Sequence, residues 1–175
     1  LNGNVRNEQD TFKLKELVDR VANINVKKYS TKINYLFNHI HGAYYFSVND
    51  LECSYHHLQA NMHLLEDDST TFKNRPNLYF SVLTNIIYIS TRLKKYEEAE
   101  EYLLKLKQLS TAGKSQKTLD LDIKYFSSSS SLELFLLIEK GDFHKAEELV
   151  PQIEEAYRLY GDHINSLRKA YIDFK

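Results

Sequence analysis

Side chains that can bind a metal or act as a nucleophile are concentrated in one stretch of the sequence. Cys53, His56, His57 and His63 fall within eleven residues, and Asp67 follows closely. Thiolates, imidazoles and carboxylates are ligands of zinc, and a cysteine beside a histidine is a possible nucleophile. These residues are therefore the first candidates for chemistry in this chain.

The spacing of these residues does not favour either kind of chemistry. On a helix Cys53 and His56 share one face, but His63 lies about 10 Å further along the axis, too far to share one ion. Zinc would need two more ligands than the pair supplies. A reactive cysteine needs a positive charge or a helix N-terminus, and Cys53 has only the predicted first turn of its helix. We therefore expect no metal site, no catalytic residue, no cofactor and no enzymatic activity; a metal- or cysteine-dependent enzyme is the least favoured alternative.

The elements that position these residues are predicted to be helices throughout. Only five glycines and two prolines are present, and most glycines lie between long segments of helical periodicity. The segment 117–126 alternates like a strand, but its helical surroundings favour a helix. Asn49, followed by Glu52, is predicted to cap the start of a helix, and Pro151 is expected to kink or interrupt one. The predicted helices are 9–26, 32–47, 50–66, 77–93, 95–110, 117–140, 142–160 and 162–175.

One pattern of residue types recurs along the chain: an aromatic or large residue, a small residue and one or two large apolar residues. Its copies are Leu51, Ser54 and Leu58; Tyr96, Ala99, Leu103 and Leu106; and Phe143, Ala146, Val150 and Ile153. A small residue early in a helix lets the preceding helix pack closely against it. The recurrence predicts three antiparallel hairpins, 31–67, 77–110 and 116–160, between flanking helices 9–26 and 162–175.

This signature, seen in YEEAEEYL and FHKAEELV, resembles the tetratricopeptide repeat, with a longer period than the roughly 34 residues typical of that family. The small residue that the family places in its first helix is matched only by Gly42. The resemblance implies an all-α fold over 1–175 as a single domain, in which the hairpins form a right-handed superhelix, or α-solenoid. It also implies a non-enzymatic scaffold or adaptor that binds other proteins.

The resemblance further implies where a partner binds. First helices of that family line a concave groove for an extended peptide or a helix, and the matching positions provide aromatic side chains and one clear cation. The implied groove residues are His39, Ala43, Phe46, Ser81, Thr84, Tyr88, Thr91, Arg92, Ser131, Phe135 and Ile138. The dense set of lysines and arginines that would clamp a terminal carboxylate is missing from them.

Charge and hydropathy restrict the class of partner. The 23 basic and 24 acidic residues are interspersed and nearly cancel, which disfavours binding to nucleic acid or to an anionic membrane. No apolar run approaches the roughly 20 residues that span a bilayer, and the N-terminus lacks the order of a signal peptide. We therefore expect a protein or peptide partner, no nucleic acid and no membrane partner for this segment, with a cytoplasmic location favoured.

The chain begins with Leu1 and reaches Lys175 within an amphipathic pattern, so we expect it to be part of a longer protein. That expectation motivates a second hypothesis, in which the chain is the sensor or regulatory region of a larger signalling or transcription-control protein. An unpaired apolar stripe on the predicted helix 162–175 would also allow a homodimer through that helix.

Overall fold

The computed structural model describes residues 8–67, 76–111 and 119–161. Within these ranges the chain forms seven α-helices and no strand, so the predicted all-α class is confirmed. The helices are α1 (Glu8–Val21), α2 (Thr31–Ser47), α3 (Leu51–Asp67), α4 (Pro76–Arg92), α5 (Tyr96–Thr111), α6 (Leu119–Lys140) and α7 (Phe143–Tyr160). No helix among the described residues is long and apolar enough to cross a membrane.

Helix boundaries agree with the predicted ones to within two residues, with one exception. The first helix ends at Val21 instead of residue 26, and a single 3-10 turn, Val26–Lys28, follows it. The segment predicted from 117, with its strand-like alternation, is helical from Leu119. The predicted helix 162–175 lies outside the described residues.

The chain divides into two compact units, Leu1–Ile89 and Ser90–Lys175. In the first unit, α2 packs against both α1 and α3; in the second, α6 packs against both α5 and α7. The second unit has a core cluster formed by Ile123, Leu134, Leu137, Ala146, Ile153 and Ala156. Packing between helices that follow one another in sequence is the arrangement expected of antiparallel hairpins.

The same backbone turn ends the first helix of all three predicted hairpins. Asn49, Lys94 and Gly141 have positive φ angles of 61°, 60° and 75°. The amide of each donates to a carbonyl three residues back, and the next amide donates to one five residues back, with donor–acceptor distances of 2.9–3.1 Å. This pair of hydrogen bonds is the Schellman motif that terminates many helices. The three turns are therefore structurally equivalent, although only one contains glycine.

The small residues of the repeat occupy equivalent positions five residues after these turn residues. Ser54, Ala99 and Ala146 are all 0% exposed. Each of their amides donates to the carbonyl four residues earlier, which belongs to the residue just after the turn residue. Their complete burial is what the close approach of two helices requires.

One local prediction, the cap of α3, was wrong. Asp50, and not Asn49, caps α3: its Oδ1 atom accepts a hydrogen bond from the Cys53 amide at 3.0 Å, and this bond lowers the pKa of the Asp50 carboxyl group. Asn49 is instead the left-handed residue that ends α2. Pro151 lacks an amide hydrogen, but α7 remains helical through it from Phe143 to Tyr160.

Candidate binding surfaces

Six of the implied groove residues lie in the first unit, where α2 and α4 bring two of them together. The rings of Phe46 and Tyr88 meet edge to face with centroids 6.2 Å apart, and both side chains are half-buried. His39 is exposed and its ring lies parallel to Tyr35 at 6.0 Å, whereas Ala43 is only 9% exposed. On α4, the Thr84 hydroxyl donates to the Ser81 carbonyl at 3.0 Å.

The other five implied groove residues lie in the second unit. Arg92 is exposed at the end of α4, but Thr91 beside it is 0% exposed. Ser131, Phe135 and Ile138 are half-buried on α6. The Ser131 hydroxyl donates to the Ser127 carbonyl at 2.7 Å, and Ile138 packs against the core cluster.

A cluster of rings that the sequence reasoning missed lies between α2 and α3. The His57 ring stacks on Tyr45 at 5.7 Å and lies 5.0 Å from His41, which in turn lies 3.9 Å from Phe37. The Nδ1 atom of His57 is 3.0 Å from the side-chain oxygen of Asn38. Because Phe37, His41 and Tyr45 are spaced four residues apart, their shared helix face was visible in the sequence.

The electrostatic environment on α3 disfavours Cys53 as a nucleophile. Burial, followed by the neighbouring imidazoles of His41 and His56, lowers the pKa of His57 to about 4. The Asp50 carboxylate raises the pKa of the Cys53 thiol, chiefly by hydrogen bonding, which disfavours the reactive thiolate. Among the described residues, no group of three or more histidine, cysteine, aspartate or glutamate side chains is placed to hold a metal ion.

An open cleft of about 390 Å³ lies between α6 and α7 in the second unit. Its apolar lining is Ile123, Phe126, Ala156, Leu159 and Tyr160, and its polar lining is Asp122, Gln152 and Glu155. Ile123 and Ala156 are also members of the core cluster, whereas Leu159 is 55% exposed. The cleft therefore continues the hydrophobic core to the surface.

Among the described residues, two charged side chains line the cleft, and both are acidic: Asp122 and Glu155. Glu155 forms a two-point ion pair with Arg158 on the same helix, with nitrogen–oxygen distances of 2.8 and 2.5 Å. This hydrogen bonding lowers the pKa of Glu155. Glu155 is consequently ionised at neutral pH, and its charge is paired with that of Arg158.

Comparison with known proteins returned no similar protein. No family model matches the chain, and no curated protein and no solved structure shows significant similarity to it. The tetratricopeptide resemblance therefore depends on the residue pattern described above.

Proposed function

We propose that this chain is a non-enzymatic scaffold of tetratricopeptide-like hairpins that binds a peptide or a domain of a partner protein. The observation that carries the proposal is the threefold occurrence of one Schellman turn followed by a fully buried small residue. Repeated hairpins present equivalent helix faces in series, and extended binding surfaces are the usual product of such repetition. We further propose that the hairpins stack as a right-handed superhelix.

The binding surface that we propose in the first unit is centred on Phe46 and Tyr88. The two rings come from first helices of successive hairpins, and both remain half-buried after they contact each other. Tyrosine is well suited to protein recognition because it combines a large rigid face with one polar group. A partner that contacts this surface would use an apolar or aromatic side chain against the exposed part of the pair.

A display experiment with random peptides tests the proposal and requires no identified partner. Peptides selected on the wild-type chain are measured against Tyr88→Ala and against Tyr102→Ala, a matched control. Tyr102 is also half-buried, but it lies on α5, a second helix of a hairpin. We expect Tyr88→Ala to weaken binding at least tenfold, as loss of an aromatic anchor does, and Tyr102→Ala to leave it unchanged.

Two outcomes would contradict the proposal. Failure to select any peptide that binds the folded chain contradicts the assignment as a peptide-binding scaffold. Equal effects of Tyr88→Ala and Tyr102→Ala contradict the assignment of the surface at α2 and α4. Circular dichroism of both variants establishes that each retains the helical content of the wild type.

A further inference from the structure

The helices α5 and α7 have matching faces, of which one contacts a helix and the other is exposed. When the helices are aligned on their fully buried alanines, Tyr96 corresponds to Phe143, and Glu100 to Glu147. On α5, the Tyr96 hydroxyl donates to the carbonyl of Glu139 on α6 at 2.9 Å. On α7, Phe143 is 57% exposed and Glu147 is also exposed. Phe143, Glu147 and the half-buried Val150 form a surface that we name the α7 face.

The contact between α5 and α6 shows how a helix packs on such a face. Two ion pairs join them, Glu100 with Lys140 and Lys107 with Glu133. A step of seven residues forward along α5 matches a step of seven back along α6, so the two helices are antiparallel. Glu147, which corresponds to Glu100, forms no ion pair with another described residue. A helix that covers the α7 face should therefore place a basic residue opposite Glu147.

The exposed side of α1 has the residues that such a helix needs. Leu17 is 42% exposed, and Arg20 is exposed three residues later. Ile24 follows the end of α1 and is 40% exposed; its amide donates to the Val21 carbonyl at 3.0 Å, which continues the last turn. Arg20 forms no ion pair with another residue of the described ranges. Leu17, Arg20 and Ile24 form a surface that we name the α1 edge.

We propose that the α1 edge of one copy of this chain packs on the α7 face of a second copy, so that copies associate head to tail. With Arg20 opposite Glu147, the antiparallel register seen between α5 and α6 places Leu17 opposite Val150 and Ile24 opposite Phe143. One ion pair is then flanked on each side by an apolar contact. The contact joins two different surfaces, which makes it a heterologous interface.

Charge and exposure together favour a second copy as the occupant of the α7 face. The α1 edge offers a cation at the position where the α7 face offers an anion, and complementary charges fix the register of an interface. Exposed apolar side chains bordered by charged ones are typical of interaction surfaces. A single pair of helices makes a small interface, and small interfaces belong to transient complexes. The association should therefore be weak, and it does not depend on the surface at Phe46 and Tyr88.

Analytical ultracentrifugation of the full chain tests the proposal. We expect the wild type to associate reversibly as its concentration rises. Leu17→Asp and Phe143→Asp should each weaken self-association at least about tenfold, because each places a charge in an apolar contact. Leu36→Asp on α2 and Leu104→Asp on α5 alter leucines that are 55% and 59% exposed and lie outside both surfaces. These matched controls should change the association constant less than about twofold.

Mixing the two aspartate variants tests the head-to-tail arrangement. The Leu17→Asp chain retains an intact α7 face, and the Phe143→Asp chain retains an intact α1 edge. An equimolar mixture therefore contains one intact combination of surfaces. We expect the mixture to form a one-to-one dimer at concentrations where each variant alone is monomeric. A mixture that remains monomeric there would overturn the proposal.

A charge exchange tests the pairing of Arg20 with Glu147 and leaves the apolar contacts unchanged. Arg20→Glu and Glu147→Arg each bring like charges together and should weaken association at least about tenfold. A chain that carries both substitutions should associate as the wild type does. Additive losses in that chain would overturn the proposed register. Both side chains are exposed, so the exchange decides the question if circular dichroism shows that an aspartate variant has lost helical content.

Two results with the wild type and the aspartate variants would overturn the proposal as a whole. The first is a wild-type chain that sediments as a monomer up to about 1 mM, where even weak specific complexes form. The second is self-association that neither Leu17→Asp nor Phe143→Asp weakens. That result would show that copies associate through another surface.

Discussion

The Ser54 hydroxyl on α3 donates a hydrogen bond of 2.8 Å to the backbone carbonyl of Gly42 on α2. This bond joins the two helices of the hairpin and satisfies the hydroxyl of a residue that is 0% exposed. A Cβ atom added to Gly42 would lie 3.5 Å from Cβ of His57, an ordinary van der Waals separation. The packing of α2 against α3 therefore does not require glycine at position 42, whereas Ser54 is fully buried in it.

Gly42→Ala should accordingly stabilise the chain. Alanine is favoured over glycine within a helix by about 0.8–1 kcal/mol, and no atom has to move to accommodate the methyl group. We expect the free energy of unfolding in urea to rise by about 0.5–1 kcal/mol. A decrease would show that α2 and α3 approach more closely than the distances to His57 and Ser54 indicate.

Large residues at the buried small positions should have the opposite effect. Ala99→Leu and Ala146→Leu add three heavy atoms at sites with no exposure. Overpacking of this kind costs about 1–3 kcal/mol, so urea unfolding should show a loss of that size for each. Leu104→Ala, at an exposed site on the same α5 helix as Ala99, is the control and should change stability by less than about 0.5 kcal/mol.

Introducing glycine at one left-handed turn residue and removing it from another should change stability in opposite directions. Lys94 adopts φ 60° with a side chain, while Gly141 adopts φ 75° without one and has open space around it. Lys94→Gly should therefore stabilise, and Gly141→Ala destabilise, by about 0.5–1 kcal/mol each. Thermal melting of the two variants beside the wild type measures both shifts. Shifts in the same direction would contradict the equivalence of the two turns.

The stability of the first unit should fall in mild acid because of His57. Its pKa is lowered to about 4 in the folded chain, against about 6.5 when unfolded. Between these two pH values the unfolded chain binds more protons than the folded chain. The contribution of neutral His57 to the free energy of unfolding is therefore complete above about pH 6.5 and is lost progressively toward pH 4. Because the ring is only half-buried, solvent screens part of this effect. We therefore expect the free energy of unfolding to fall by about 1–2 kcal/mol.

Urea unfolding at pH 7.5 and pH 4.5 checks this expectation with two variants. His57→Phe keeps an aromatic ring beside Tyr45 but removes the titration, so its stability should fall less between the two pH values than that of the wild type. His63→Phe changes an exposed histidine on the same helix and is the control. A pH dependence that survives His57→Phe unchanged would assign the acid sensitivity to other groups.

Much of the helical framework could be predicted because its signals are local. Apolar spacing located α2 to α7, and the repeated pattern located three small residues that are fully buried. Two features were hidden for a physical reason. Lys94 and Asn49 adopt a backbone conformation that neither residue type requires. α1 ends at Val21, before a stretch that contains Asn23 and Asn25, and asparagine is among the residue types that favour turns over helix interiors.

The candidate binding surfaces were only partly visible for a related reason. Which implied groove residues are exposed depends on how the helices cross, so Thr91 is enclosed while Arg92, its neighbour, is exposed. The α6/α7 cleft joins residues about thirty positions apart in sequence, such as Ile123 and Ala156. Its existence follows from the packing of two helices and not from any motif.

The measurement that tests the central proposal most directly is the affinity of display-selected peptides for Tyr88→Ala and Tyr102→Ala beside the wild type. If the chain is a peptide-binding scaffold with Phe46 and Tyr88 at its surface, Tyr88→Ala weakens binding at least tenfold, as an aromatic anchor does, while Tyr102→Ala retains wild-type affinity. Undiminished binding by a correctly folded Tyr88→Ala variant would contradict this assignment.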